Sequence, residues 1–280
     1  MLTKLTIRNF KRFTSAEIEL GNPVAAARDV VVAFVGPPHR LNDRPNQLLK
    51  ALKGIGFEDY YQARQRGWVL YLEGSTDLAI LRAFAAKLQH PAQGDLESPF
   101  VHYVENRPAR AREHFHGLSE AAPGLVGFLL TDRLDRAPQS TSVLAEAMWQ
   151  RREIENYLCQ PETLIAWAEN SAKATAPGPL FEPGAAATRA GIVNECIREL
   201  VPPLALRDPN DVWWQNVKAS DEFLDRLFEM FFDRLKLPNL MRKTNYHQLA
   251  AYVALEQIVP EIAEKLDMIH QASQRARPAR

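Results

Sequence analysis

The sequence has few features of an extracellular, membrane-bound or strongly basic protein. Its 280 residues include only two cysteines, Cys159 and Cys196, without a Cys-x-x-Cys spacing, which argues against a disulfide framework and a cysteine zinc site. The 34 lysines and arginines equal the 34 aspartates and glutamates, so net charge gives no reason to expect a nucleic-acid partner, although a local basic face stays open. No apolar run approaches the ~20 residues of a membrane span, and the first residues lack the apolar core of a signal peptide. We therefore expect a cytoplasmic protein that does not contact membranes.

One stretch, Trp68–Asp77, carries the strongest local pattern in the chain. Its first five residues are all apolar, which is typical of a strand buried on both faces of a sheet. Glu73 and Gly74 end that run, and the Ser-Thr-Asp sequence that follows is typical of a helix N-cap. Apolar residues then recur at helical spacing over 78–88. The pattern predicts a strand, a tight glycine turn and a helix, with Glu73 and Asp77 near the end of the strand.

The region that follows alternates predicted strands and helices. The apolar runs 100–104 and 125–131 predict two more strands, and a helix that starts at a proline is predicted over 108–120. Strands that alternate with helices imply a parallel sheet, so we expect an α/β fold with flanking helices and a mostly helical C-terminal part. Asp132 directly follows the third strand, as Glu73 follows the first. Both carboxylates should lie on the carboxyl edge of the sheet, where open α/β sheets bind their ligands.

Several acidic residues are candidates for a metal site at this edge. Carboxylates that share one place repel each other unless a cation lies between them, and oxygen-rich sites suit Mg²⁺ or Mn²⁺. Taken singly, each residue is more often a solvated loop residue or a helix cap. If the segment around Glu153 and Glu155 is extended, both side chains face the same side, whereas a helical segment makes them diverge. The candidates are Glu73, Asp77, Asp132, Asp135, Glu153 and Glu155.

The rest of the chain divides by its hydrophobic pattern and composition. Alternation over 2–20 predicts two strands, and a surface helix is expected within 43–66. The segment 172–188 is rich in Ala, Pro and Gly, which is typical of a linker or mobile loop. A helix with a broad apolar face is predicted over 220–237, and Pro260 begins the last helix. The predicted divisions are an N-terminal hairpin (1–30), a helical connector (31–66), a metal-binding domain (67–171), a linker or mobile loop (172–188) and a helical C-terminal domain (189–280).

The N-terminal residues resemble the opening hairpin of an ATPase family. Leu-Thr-Ile-Arg-Asn-Phe-Lys-Arg-Phe at 5–13 is similar to the start of ABC-type ATPases related to chromosome-maintenance and recombination proteins. In those families a Gly-x-x-x-x-Gly-Lys-Ser/Thr loop soon follows, and its backbone N–H groups and its lysine bind phosphate. The corresponding place here, 31–39, contains Pro37 and Pro38, which lack N–H donors, and Gly-Lys-Ser/Thr occurs nowhere in the sequence. We expect no ATP binding by this chain alone and interpret the hairpin as a truncated remnant, joined across a deletion near 22–30.

Four motifs carry a second resemblance: Val69-Leu-Tyr-Leu-Glu-Gly-Ser-Thr-Asp77, Gly127-Phe-Leu-Leu-Thr-Asp-Arg-Leu-Asp135, Arg151-Arg-Glu-Ile-Glu-Asn-Tyr-Leu158 and Met241-Arg-Lys-Thr-Asn-Tyr-His247. Together they resemble the OLD (overcoming lysogenization defect) family, whose members join an ABC-type ATPase to a TOPRIM nuclease. TOPRIM is the metal-binding α/β module of topoisomerases, primases and certain nucleases, and it pairs a Glu after its first strand with an Asp-x-Asp after its third. Glu73 and Asp132 match those positions. The sequence departs from the family in having Asp132-x-x-Asp135 in place of Asp-x-Asp.

The OLD resemblance implies a DNA endonuclease that hydrolyses phosphodiesters with two Mg²⁺ or Mn²⁺ ions, held roughly 3.5–4 Å apart. Glu153 and Glu155 are expected to act in catalysis or to supply the ligand that the altered aspartate spacing leaves in question. Lys243 matches the family's C-terminal lysine and would stabilise charge on the scissile phosphate. The metal ligands implied by the resemblance are Glu73, Asp77, Asp132 and Asp135.

Two other interpretations stay open. The missing phosphate-binding loop and the altered aspartate spacing also fit a catalytically weak or inactive DNA-binding remnant that acts with a separate ATPase. An active ATPase is the third interpretation, and it predicts nucleotide binding. A homo-oligomer is an alternative to the partner ATPase. His114 and His116 do not share a face of the predicted helix, and we interpret both as structural. The arginines expected to contact DNA are Arg64, Arg66, Arg107, Arg110, Arg112, Arg151 and Arg152.

Overall fold

The computed structural model describes residues 4–10, 13–19, 56–173 and 178–277, and the chain divides into the units 1–43 and 44–280. The first unit contains an antiparallel hairpin of β1 (Lys4–Phe10) and β2 (Phe13–Glu19). The two strands predicted over 2–20 are therefore confirmed. The stretch 20–55, with most of the predicted connector and the place of the missing phosphate-binding loop, lies outside the described residues.

The second unit is built on a four-stranded parallel sheet with the strand order β4-β3-β5-β6. Its strands are β3 (Trp68–Leu72), β4 (Val101–Tyr103), β5 (Val126–Thr131) and β6 (Leu144–Met148). The predicted α/β class is confirmed, and so are the three predicted strands of the sheet. The sequence analysis missed β6, since its residues Leu-Ala-Glu-Ala-Met include types that are depleted in strands.

Both central strands are buried on both faces, as their unbroken apolar runs predict. Every residue of β3 and β5 is buried. Trp68, Leu70 and Leu72 belong to one apolar cluster, whereas Val69 and Tyr71 belong to another on the opposite face. This alternation follows from the two-residue period of a strand, so each face of the sheet requires its own layer of helices.

Helices cover the sheet and form most of the C-terminal part. The α-helices of the described residues are α1 (Phe57–Arg66), α2 (Ser75–Lys87), α3 (Ala92–Glu97), α4 (Pro108–Ala121), α5 (Pro161–Ser171), α6 (Glu182–Leu200), α7 (Val212–Asn216), α8 (Asp225–Arg234) and α9 (Pro260–Gln274). Shorter 3₁₀ segments lie at Ile154–Tyr157, Pro179–Phe181, Lys243–Tyr252 and Leu255–Gln257, and a π-helical turn spans Ala219–Leu224. Among these described helices, none combines the length and the apolar character that a membrane crossing requires.

Two predicted boundaries need correction. Helix α2 starts at Ser75, with Gly74 as its N-cap, so the Ser-Thr-Asp sequence forms the first turn of the helix and does not precede it. The segment 172–188, interpreted as a linker or mobile loop, is helical from Glu182 onward. Pro183 fits the first turn of a helix, where its missing N–H costs nothing, and the alanines that follow it are strong helix formers.

The C-terminal helices share one apolar core with the sheet. The buried face of α8, with Phe228 and Phe231, belongs to the same cluster as Leu70 of β3. The ring of Trp167 on α5 packs edge-on against Phe228, with the ring centroids 4.8 Å apart. The C-terminal helices therefore belong to the same unit as the sheet.

Candidate metal centre at the sheet edge

The ends of two adjacent strands bring Glu73 and Asp132 together. β3 and β5 are paired neighbours, with Tyr71 opposite Leu129, and each carboxylate directly follows its strand. The two carboxyl groups are close enough that Glu73 acts on the pKa of Asp132 both as a hydrogen-bond partner and as a negative charge.

The pKa of Asp132 is raised to about 10 by burial first, then by the hydrogen bond and charge of Glu73 and by the charges of Asp77 and Glu153. Its backbone N–H donates to Oδ1 of Asn106 at 3.1 Å, which anchors the strand end. A carboxyl group in this surrounding stays protonated at neutral pH unless a positive charge takes the place of the proton.

Asp77 closes the first turn of α2 beside the same edge. Its Oδ2 accepts hydrogen bonds from the backbone N–H groups of Glu73 at 3.0 Å and Gly74 at 3.3 Å. Burial, and then the charge of Glu73, raise the pKa of Asp77 to about 6, although the two N–H groups lower it. Asp77 therefore combines the capping role of an acidic residue in a first turn with a position inside the acidic cluster.

Glu153 and Glu155 enter the cluster from the loop after β6. Both are buried, at 4% and 3% exposure, in a segment where Glu153 is extended and Glu155 lies in the first 3₁₀ turn. Burial, followed by the charges of Glu153 and Asp77, raises the pKa of Glu155 to about 8. Burial also raises the pKa of Glu153, against a hydrogen bond that the Ser220 N–H donates to its carboxylate. Neither of the two sequence alternatives describes this segment fully, because its backbone changes conformation between the two glutamates.

Asn156 holds that loop in place. Its Oδ1 accepts a hydrogen bond from the Glu153 N–H at 2.9 Å. Its Nδ2 donates to the carbonyl oxygens of Trp214 at 3.0 Å and Val217 at 2.9 Å. A single buried amide thus ties the glutamate loop to the segment that carries Ser220.

Lys243 supplies positive charge at the margin of the cluster. Burial disfavours its charged form, but the carboxylates of Glu155, Asp221, Glu153 and Glu73 outweigh burial and raise its pKa. Its Nζ donates to Oγ of Ser220 at 3.3 Å. The ammonium group is therefore charged and lies on the same side as the carboxylates, as the resemblance implies.

Asp135 is not part of this cluster. It is exposed, and it lines a cavity of about 350 Å³ together with Arg112 and Glu146. Two residues, Arg133 and Leu134, separate it from Asp132, and it faces this cavity. Of the seven residues predicted for the site, the structure brings Glu73, Asp77, Asp132, Glu153, Glu155 and Lys243 together and leaves Asp135 outside.

Two residues that support the site were missed by the sequence analysis. Asn106 lies three residues after the end of β4, so the strand-end rule that identifies Glu73 does not single it out. It adopts a left-handed φ of 57°, which asparagine tolerates better than most residues. Ser220 has no local signal, since only the packing of the C-terminal part places it against Glu153.

The chemistry of the donor set suits a hard divalent cation, because all the candidate ligands are carboxylate oxygens, which Mg²⁺ or Mn²⁺ prefers. Among the described residues, no three of these carboxylates place one oxygen each within 4.8 Å of one another, so the side chains would have to move closer to hold one ion together. The raised pKa of Asp132 reflects the same repulsion that a bound cation would compensate. No known protein family, curated protein or solved structure matches this chain. The resemblance to the OLD family therefore depends on the sequence motifs alone.

Proposed function

We propose that this protein is a divalent-metal-dependent DNA endonuclease of the OLD type, without an ATPase of its own. The observation that carries the proposal is the convergence of Glu73, Asp132, Glu153 and Glu155 with Lys243 at one sheet edge. These residues come from four separate places in the chain. Burial and neighbouring charges raise the pKa values of Asp132, Glu153 and Glu155, which is typical of a functional site and not of solvated surface carboxylates.

In the proposed enzyme, Glu73 and Asp132 hold the metal, and Asp77 orients the strand end on which Glu73 lies. When bound, Mg²⁺ or Mn²⁺ would activate water and offset negative charge on the phosphate. Glu153 and Glu155 are placed to bind a metal or to accept a proton from water, because their raised pKa values bring them toward neutrality. Lys243 would contact a non-bridging phosphate oxygen as a fixed positive charge.

Exposed arginines next to the carboxylates support a nucleic-acid substrate. Arg133 follows Asp132, and Arg152 precedes Glu153; both are exposed, and the Arg133 N–H donates to the Arg152 carbonyl oxygen at 3.1 Å. That bond joins the two backbones. The Arg133 guanidinium donates to the Gln150 carbonyl oxygen and to Oδ1 of Asn216, and the Arg152 guanidinium donates to the Asn216 carbonyl oxygen. Both groups place positive charge beside the site, where a phosphate backbone would bind. Arg112 is removed from the predicted DNA contacts, because it forms a two-pronged ion pair with the buried Glu146 at 2.6 and 2.7 Å.

The proposal is tested by nicking of supercoiled plasmid in Mg²⁺ or Mn²⁺. Glu73→Gln keeps the shape of the side chain and removes its charge, and Asp135→Asn makes the same change outside the cluster. We expect the wild type and Asp135→Asn to nick at equal rates, and Glu73→Gln to lose roughly a hundredfold or more. Equal nicking by wild type and Glu73→Gln would remove catalysis from this site.

The alternative of a DNA-binding remnant has one observation in its favour. Asp135 does not supply a second aspartate at the edge, so the cluster lacks one ligand of the pattern it resembles. This alternative predicts that the wild type binds DNA with the same affinity in EDTA and in Mg²⁺ and cleaves it in neither.

A further inference from the structure

A second cluster of ligand-forming side chains lies on the face of the sheet that α1 and α4 cover. It consists of Asp59 on α1, His102 on β4 and His114 on α4, and one ligand atom of each lies within 4.8 Å of the other two. Oδ2 of Asp59 is 3.1 Å from Nε2 of His114 and 3.6 Å from Nδ1 of His102. A single carboxylate oxygen thus faces one nitrogen of each imidazole.

Tyr71 sets the orientation of this cluster from the centre of the sheet. It pairs with His102 in the parallel register of β3 and β4, so both side chains project from the same face. The Tyr71 hydroxyl forms a hydrogen bond with Nδ1 of His114 at 2.9 Å. That bond occupies Nδ1 and leaves Nε2 facing Asp59, which is how a hydrogen bond to the far nitrogen orients a metal-binding histidine.

The geometry points to a binding site for a divalent transition metal of the Zn²⁺ class, formed by Asp59, His102 and His114. Two imidazole nitrogens and one carboxylate oxygen suit Zn²⁺, Co²⁺ or Ni²⁺ better than Mg²⁺. The site differs in ligand chemistry from the carboxylate cluster at the sheet edge. It lies beside Tyr71, on the face of the sheet opposite to the one that α2 covers. The site does not depend on the proposed nuclease activity.

The burial of the three side chains is suited to such an ion. His114 is 11% exposed, and His102 and Asp59 are 33% and 28% exposed, so the site is partly dry but open to entry from solvent. Burial lowers the pKa of His102, and burial together with the charge of His102 lowers the pKa of His114. Neutral imidazoles offer the lone pairs that a metal requires.

A modest rearrangement brings the three atoms to bonding distance. Zn–N and Zn–O bonds are about 2.0–2.2 Å, which places tetrahedral ligands roughly 3.4 Å apart. The two imidazole rings are stacked, with centroids 3.7 Å apart, so one ring has to tilt for both nitrogens to point at one ion. His102, on the short edge strand, is the more exposed of the two and has the room to do so. The bound ion would connect α1 to β4 and α4, with a fourth position open to water.

Isothermal titration with Zn²⁺ tests this site. The variants Asp59→Asn and His102→Gln keep the size of the side chain and remove a ligand, and His116→Gln is the matched control on α4, where residue 116 is exposed. Asp132→Asn is the control for zinc that binds at the sheet edge. We expect one Zn²⁺ per chain in the wild type, His116→Gln and Asp132→Asn, and an affinity lower by roughly tenfold or more in Asp59→Asn and His102→Gln. Zn²⁺ should also raise the melting temperature of these three chains more than that of Asp59→Asn and His102→Gln.

The proposal is overturned if the wild type binds no Zn²⁺, or if Asp59→Asn and His102→Gln bind it as the wild type does. It is also overturned if Asp132→Asn alone abolishes binding, because the ion would then lie at the carboxylate edge. Circular dichroism of each variant shows whether it is folded, and the near-isosteric Asp59→Asn decides the matter should His102→Gln unfold.

Discussion

The carboxyl groups of Glu73 and Asp132 lie next to each other at the ends of two adjacent parallel strands. Negative charge is concentrated at this edge of the sheet. Burial and the charges of Glu73, Asp77 and Glu153 keep the pKa of Asp132 near 10. In the absence of a cation, a proton on Asp132 offsets part of this repulsion, and several measurable properties follow.

The metal-free protein should lose stability as pH rises. The pKa of Asp132 is about 10 in the folded protein and 3.8 in its ordinary state, so the folded chain binds this proton more tightly than the unfolded chain. The unfolded state then holds fewer protons, and the free energy of unfolding falls as pH rises between those values. Glu155, with a pKa raised to about 8, adds to the same slope. Thermal unfolding in EDTA from about pH 5 to about pH 9 measures the effect.

Asp132→Asn is the matched variant for this pH dependence. It removes the titrating group and keeps the shape, so its melting temperature should vary less with pH than that of the wild type and should exceed it at alkaline pH. Asp135→Asn, which alters an exposed residue, should follow the wild-type curve. A wild type whose stability increases across this range would contradict the assignment of the proton.

Lys243 should matter for turnover more than for metal binding. Its ammonium group lies at the margin of the carboxylates and donates to Ser220 at 3.3 Å. Lys243→Gln should lower the nicking rate about 10²-fold, since it removes a charge that would stabilise the phosphate in the transition state. Lys173→Gln, at an exposed position after α5, is the control and should leave the rate unchanged. If Lys243→Gln lost Mn²⁺ affinity by the same factor as it lost nicking rate, the role of Lys243 would be structural.

Asn156 should be essential for stability as well as for the site. Asn156→Ala leaves the Glu153 N–H and two buried carbonyl groups without their side-chain partner, which should cost about 2–3 kcal/mol. Urea unfolding measures the loss. Asn210→Ala, in an exposed loop, should be near neutral, and equal stability of the two variants would rule out the anchoring role of Asn156.

Gly127 should tolerate no side chain. A Cβ there would lie 2.6 Å from Cδ1 of Leu144 and 2.9 Å from the ring of Phe115, so Gly127→Ala should destabilise the fold by about 1–3 kcal/mol. At Gly94 on α3 nothing lies within 4 Å of the added Cβ, so Gly94→Ala should be neutral or slightly stabilising. The difference in urea midpoint between the two alanine variants checks the packing of α4 against β5.

The sequence was sufficient to predict the centre of the fold. The apolar runs of β3 and β5 identify strands because both faces of each strand are buried, which leaves no alternation to confuse the pattern. β6 escaped prediction, since Glu146 sits in it as the partner of Arg112 and tertiary ion pairing overrides strand propensity. The apolar pattern predicts helix α6 only from Ala190 to Leu200, whereas the helix begins at Glu182. Its first turns contain Pro183 and Gly184, residues typical of a linker, although Pro183 lies where helices accept proline.

The candidate site was predictable only in part, for a related reason. Glu73 and Asp132 follow from a topological rule, because strand ends in a parallel sheet share one edge. Glu153 and Glu155 reach that edge through a loop held by Asn156, and loop geometry depends on packing that local sequence does not encode. Asp135 shows the converse, since the resemblance implies a ligand there although the spacing departs from Asp-x-Asp, and the residue is exposed and lines another cavity.

A Mn²⁺ titration followed by electron paramagnetic resonance tests the central claim most directly. The free ion gives a signal that decreases on binding, so the affinity of the sheet edge can be measured without any DNA substrate. We predict that the wild type and Asp135→Asn bind Mn²⁺ with the same affinity and that Glu73→Gln and Asp132→Asn bind it at least roughly tenfold more weakly. Undiminished Mn²⁺ binding by Glu73→Gln and Asp132→Asn, or no binding by the wild type, would contradict a metal centre built from the ends of β3 and β5.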